Sequence, residues 1–207
     1  MTLLIGSRLA LRELGMEDWP AVHVYSADPE VTRYQPWGPN GPEQSRAFVE
    51  QVAIAAQDVP RTEYQLAITL RDGGQLMGTG ALWLRNPDHG QGEIGYFLHP
   101  VYWGRGYATE AALLLLGFGF GNLALHRIAA TCDPRNTASA RVLEKVGMTY
   151  EGRLRETMRL RDGWRDSAVY SILAHEWHAG AIEPRGGESH IPQPGSTRRE
   201  VEERHGA

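Results

Sequence analysis

The chain has 207 residues, enough for one domain with a real core, and 42% of them are hydrophobic, the share of an ordinary globular protein. A formal charge of −4 with no run of Lys and Arg argues against an electrostatic nucleic-acid binder. The single cysteine, Cys132, excludes an intrachain disulfide and a cysteine-rich metal site, and it reads as a buried structural thiol.

The first residues alternate and carry Arg8, Arg12 and Glu13, which is not the pattern of a secretory leader. The longest apolar run, residues 111–116, is too short to span a bilayer. A cytoplasmic location and no membrane partner are therefore expected. Leu9 and Leu11 predict a strand that Gly15 ends, followed by a short helix over 18–27 with Pro20 in its first turn. Residues 34–42 hold Pro36, Trp37, Gly38, Pro39, Gly41 and Pro42, a loop whose aromatics suit binding. A helix over 43–57 carries Ala47, Phe48, Val52 and Ala55 on one stripe.

Strands over 64–70 and 76–84 join at Asp72-Gly73-Gly74, a hairpin signal, and a third strand spans 91–98. A Gly-rich loop over 100–107 leads into a helix over 108–123 that is apolar nearly all round and so belongs in the interior. A strand over 127–132 and a helix over 137–145, stopped by Gly147, come next. Strands over 149–160 and 164–173 meet at Asp162-Gly163, and Trp164 and Trp83 read as core. Beyond Gly180 the chain turns to Gly, Pro, Ser, Glu and Arg, which predicts one domain over 1–180 and a disordered tail over 181–207. The element order predicts an α/β (α+β) chain, a mixed sheet with helices on its faces.

The sharpest motif is Trp103-Gly104-Arg105-Gly106-Tyr107-Ala108-Thr109-Glu110-Ala111, which follows a strand and opens a helix. Two glycines allow a tight turn and a close backbone approach, and the amides of Gly104 to Thr109 can converge on an anion that the helix dipole also favours. Such a nest suits a pyrophosphate. A bare strand-to-helix turn is the plain alternative. No Gly-Lys-Ser/Thr follows, and a third glycine is missing, so neither the Walker loop nor the dinucleotide fingerprint is present.

Glu93-Ile94-Gly95-Tyr96-Phe97-Leu98-His99-Pro100 precedes this loop, and Asn136-Thr137-Ala138-Ser139-Ala140-Arg141-Val142-Leu143-Glu144-Lys145-Val146-Gly147-Met148 follows it. Together these segments resemble the GNAT N-acetyltransferase superfamily, and more narrowly the branch of RimJ/RimL-type ribosomal-protein acetyltransferases. The resemblance spans roughly residues 9–175. It implies a mostly antiparallel sheet of about seven strands with helices on both faces, and acetyl-CoA as co-substrate without a metal. It places the CoA pyrophosphate on the backbone of Gly104, Arg105, Gly106, Tyr107, Ala108 and Thr109. It places the pantetheine arm along Phe97 and Leu98, with Asn136 and Ser139 near it. Trp103 stands where the family usually has Gln or Arg.

Thioester aminolysis needs a neutral amine, a polarised carbonyl and a proton for the leaving thiolate. The resemblance makes the Leu98 N–H the polarising donor, Glu93 the candidate base and Ser139 the candidate acid. A salt-bridged strand residue is the alternative for Glu93, and a helix-terminal hydroxyl for Ser139. Leu143 occupies the position of the tyrosine acid found in many relatives, with Tyr96 and Tyr150 as replacements or as plain packed aromatics. Tyr34 and Trp37, with the hairpin around Asp162, are expected to wall the amine pocket. The expected partners are acyl-CoA and an amine acceptor, with the chain a monomer or homodimer. A succinyl or other acyl donor, or a non-catalytic CoA-binding sensor, are the alternative functions.

Overall fold

The computed structural model describes residues 2–178; the tail expected over 181–207 lies outside them. Eight strands form one sheet: β1 (Leu3–Ile5), β2 (Leu9–Glu13), β3 (Glu63–Leu70), β4 (Leu76–Asn86), β5 (Gln91–Leu98), β6 (Arg127–Cys132), β7 (Thr149–Leu160) and β8 (Gly163–Leu173). The helices are α1 (Trp19–Ser26), α2 (Pro29–Thr32), α3 (Pro42–Ala55), α4 (Tyr107–Gly121) and α5 (Thr137–Lys145). The strand order is β1-β2-β3-β4-β5-β6-β8-β7. Every neighbouring pair is antiparallel except β5 and β6. Two elements exceed the sequence reading. β1 is three residues long, and α2 is a single turn started by Pro29 with the Asp28 side chain as its cap.

Strand alternation divides the core in two. Leu66, Ile68, Leu82 and Ile94 turn to one face, where Ala111, Ala112, Leu115 and Leu116 of α4 cover them. Leu115 and Leu116 are fully buried, each contributing about 1.5–3 kcal/mol of transfer free energy. Gly119 lets the end of α4 lie close on the sheet, since a Cβ there would stand 2.5 Å from Ile128 Cδ1. On the opposite face Ala67 packs with Val22 and Tyr25 of α1 and Val49 and Val52 of α3. Trp164 departs from its expected core position. It is 61% exposed, because β7 and β8 form the sheet's outer hairpin and no described residue buries its face there. Trp83 is only partly buried. No helix of the described residues is long and apolar enough to cross a membrane.

Candidate active site

The one parallel pairing is also the shortest of the interior ones. β5 and β6 pair only at Gln91–Arg127, Gly92–Ile128 and Glu93–Ala129. Beyond that, β5 stays with β4 out to Leu98, and β6 stays with β8 out to Cys132. The sheet therefore splits between them. Main-chain groups alternate sides along a strand. His99 N–H donates to Met77 O of β4, so the main chain of Phe97 and His99 turns to β4. The main chain of Ile94 turns to β6 at the last pair, and that of Tyr96 and Leu98 turns to the split, where no strand of the described residues pairs with it. The Leu98 N–H thus faces the slot. The Leu98 carbonyl accepts from Trp103 Nε1 at 2.8 Å, so Trp103 pins the strand end to the Gly-rich turn. The main chain of Phe97, expected to run beside a pantetheine, is committed to β4 instead; the free edge belongs to Tyr96 and Leu98.

Past the strand end, Gly104 (φ +72°) and Gly106 (φ +78°) adopt left-handed backbone, which L side chains resist, and Gly106 caps α4. A Cβ on Gly104 would meet nothing within 4 Å, so the space beside it is open. Arg105, Tyr107, Ala108 and Thr109 complete this turn. It is held from behind by Glu110. The carboxylate accepts from Arg8 N (2.7 Å), Leu9 N (3.1 Å), Ser7 Oγ (3.1 Å) and Arg8 Nε (2.8 Å). Burial alone would raise the Glu110 pKa; the donors of Arg8, Ser7 and Leu9 outweigh it and hold the carboxyl below its usual range. Arg8 in turn donates to Arg105 O at 2.9 Å and lies over the Tyr107 ring. Sequence reading did not single out this clasp.

Residues 8–149 match the acetyltransferase (GNAT) domain family. The chain belongs to the GNAT acetyltransferase family. The uncharacterized N-acetyltransferase YnaD of Bacillus subtilis is 37% identical over 172 residues, 83% of this chain and 96% of YnaD. The crystal structure of a GNAT-family acetyltransferase from Bacillus anthracis superposes with a TM-score of 0.75 at 34% identity, covering 84% of this chain and 99% of that one. RimL, the ribosomal L7/L12 α-N-protein acetyltransferase solved with coenzyme A, shares the fold with a TM-score of 0.73 at 19% identity, over 83% and 98% of the chains.

In this GNAT acetyltransferase the two sides of the slot carry different chemistry. On the α4/α5 side, Tyr96 OH lies 3.2 Å from Ser139 Oγ and 3.4 Å from Ser139 O. Asn136 caps α5, its Oδ1 accepting from Ser139 N at 3.1 Å. The Ser139 hydroxyl is thus free of capping duty and paired with the phenol. Burial pushes the Tyr96 pKa well above the usual tyrosine value, although the Ser139 contact works the other way, so the phenol keeps its proton. Tyr150 is half exposed and packs at a tilt against Tyr170, with ring centroids 5.3 Å apart.

The α1/α3 side receives Glu93, Gly95 and Phe97, the alternate residues of β5. Trp37 packs edge-on against Phe97 with centroids 5.1 Å apart. Glu93 stands at the last β5–β6 pair, and its Oε2 accepts from Arg85 Nε at 2.7 Å while Oε1 makes no hydrogen bond among the described residues. Tyr34 meets the β7–β8 hairpin: its carbonyl accepts from Arg165 NH1 at 3.0 Å, and Arg135 lies 5.7 Å from its ring centroid. Arg161 donates to Thr32 O, so the hairpin tip docks on α2.

A cavity of about 220 Å³ opens at this junction, lined by Asp133, Pro134, Arg135, Arg153, Trp164, Arg165 and Asp166. Arg165 is 4% exposed. Its Nε is the only buried side-chain polar atom without a partner among the described residues. Asp133 is taken by Arg135, and Asp166 by Arg153. Burial would raise the Asp133 pKa, but the hydrogen bonds from Arg135 and the charges of Arg135 and Arg165 hold the carboxyl below its usual range. Sequence reading passed over Arg165. The signal available was parity: it shares a strand face with Ser167, Val169 and Ser171, a face with no other charge.

Proposed function

We propose that the chain transfers acetyl from acetyl-CoA to a primary amine by direct attack while both substrates are bound. The observation that carries this reading is the split after Glu93–Ala129, with the Leu98 N–H aimed into it and the glycine nest at one end. Acetyl-CoA supplies an activated thioester. The nest of Gly104 to Thr109 holds its pyrophosphate, and the free edge of Tyr96 and Leu98 takes its amide-bearing arm as an added strand would. The Leu98 N–H then polarises the carbonyl and stabilises the negative charge that builds on its oxygen.

The amine nitrogen attacks the carbonyl carbon from the α1/α3 side, forming the C–N bond as the C–S bond breaks. Glu93, through its free Oε1 or a bridging water, takes the proton the amine gives up. Ser139, held by the buried Tyr96 phenol, donates a hydrogen bond to the departing sulfur, and the thiolate takes up from solvent the proton that Glu93 passes on. The products are an amide and a thiol, with no net change in oxidation. Tyr34 and Trp37 wall the acceptor approach. Calorimetric titration with acetyl-CoA, run beside succinyl-CoA, tests the donor. Micromolar acetyl-CoA binding followed by thiol release with an amine supports the reading. A preference for succinyl-CoA changes the donor, binding without turnover makes the chain a CoA-binding sensor, and no binding of either overturns the site.

A further inference from the structure

Taking the acyl-transfer reading as its ground, we propose that Arg165 is a receptor for a carboxylate carried by the acceptor amine. A guanidinium carries five N–H donors. In Arg165, NH1 gives one bond to Tyr34 O and NH2 one to Ser167 Oγ, both uncharged acceptors, while Nε gives none. Burying an arginine without an anion is costly unless something compensates the charge. The neighbouring carboxylates do not do so directly, because Asp133 bonds Arg135 and Asp166 bonds Arg153. Arg135 is further engaged by Asp162. The cavity wall therefore carries three guanidiniums, Arg135, Arg153 and Arg165, against two committed carboxylates, Asp133 and Asp166.

The position fits an acceptor and not the CoA. Arg165 reaches Tyr34, on the side of the sheet that Trp37 and Glu93 face, whereas Tyr96 and Ser139 occupy the other side. It stands three residues along β8 from Ala168, the partner of Cys132 at the end of β6. A planar guanidinium held by two fixed acceptors is preorganised for a carboxylate, which it binds through paired N–H donors. The acceptor class is thus an amine that is also an acid, and not a polyamine.

The test measures thiol release from acetyl-CoA with α-amino acids and ω-amino acids of graded length, each beside its carboxamide, and with spermidine. The expected result is a preference of about 10- to 100-fold in kcat/KM for the acid over the amide. Arg165→Gln should abolish that preference while KM for acetyl-CoA stays within about twofold, and Arg165→Lys should keep part of it. Amides or spermidine used as well as the acids would overturn the proposal, as would an Arg165→Gln enzyme that keeps the preference. If Arg165→Gln does not fold, an acid preference in Arg165→Lys as large as that of the parent chain overturns it. If acetyl-CoA binds and no amine is acetylated, the transfer reading fails by itself. Titration of the CoA-loaded protein with the same pairs then decides: tighter binding of the acids supports Arg165, and equal or absent binding rejects it.

Discussion

Replacing Glu110 with alanine removes the acceptor that ties the β1–β2 turn to the first turn of α4. Two main-chain donors, Arg8 N and Leu9 N, lose their partner, and Leu9 is fully buried. An unsatisfied buried donor costs about 1–3 kcal/mol. The Arg8 ion pair adds at most about 1 kcal/mol, because the arginine is half exposed and solvent screens it. The expected loss is about 4 kcal/mol, or roughly 10 °C in Tm for a domain of this size. Glu110→Gln keeps one carbonyl acceptor and should lose about half as much. Urea melts of the parent and both variants measure this.

The pH dependence adds a signature to the same variants. The folded-state pKa of Glu110 lies below its unfolded value, so its contribution is complete above the unfolded pKa and is lost as pH falls through the folded one. The gap between parent and Glu110→Gln should therefore narrow in acid. A loss under about 1 kcal/mol in Glu110→Ala, or a gap that does not move with pH, would refute the clasp.

Gly106→Val should weaken acetyl-CoA binding by at least about tenfold, since φ +78° is strained for a β-branched residue; unchanged calorimetric affinity would remove the nest assignment. Tyr96→Phe should lower kcat about tenfold with KM for acetyl-CoA nearly constant, because Ser139 loses its hydroxyl partner; a rise in KM alone would make the phenol a binding group. Glu93→Gln should depress turnover more at low pH than at high pH, where the amine is already neutral, and a flat deficit across the profile would exclude it as the base.

The elements were legible because their periods are clean. The apolar surface of α4, the Asp-Gly turn at β7–β8 and the glycines at 104 and 106 each have one local cause. β1 and α2 were not, since three residues and one turn leave no period to read. Trp164 shows the limit of composition. A large aromatic at a hairpin suggests an inward side chain, but burial depends on whether a layer lies above the strand, and among the described residues none does there. The site divides the same way. The Gly-rich turn announces itself in sequence. The pairing of Tyr96 with Ser139, the clasp of Glu110 on residues 7–9 and the orphan Nε of Arg165 join positions from about 40 to 130 residues apart, which no local pattern encodes.

The three-pair contact between β5 and β6 also bears on how the protein keeps its shape. The main-chain junction between the two halves of the sheet is brief, with α4 and α5 bridging them on one face. Anything that lies along the free edge of Tyr96 and Leu98 stitches those halves together, and its affinity is then also a folding term, growing with the logarithm of its concentration. Amide hydrogen exchange at Tyr96 and Leu98 should slow on saturation with acetyl-CoA, while exchange in β2 and β3, already zipped into the sheet, should change little. In a cell the abundance of such a chain would then follow the acyl-CoA pool, so that the donor is also a guardian of the enzyme that consumes it.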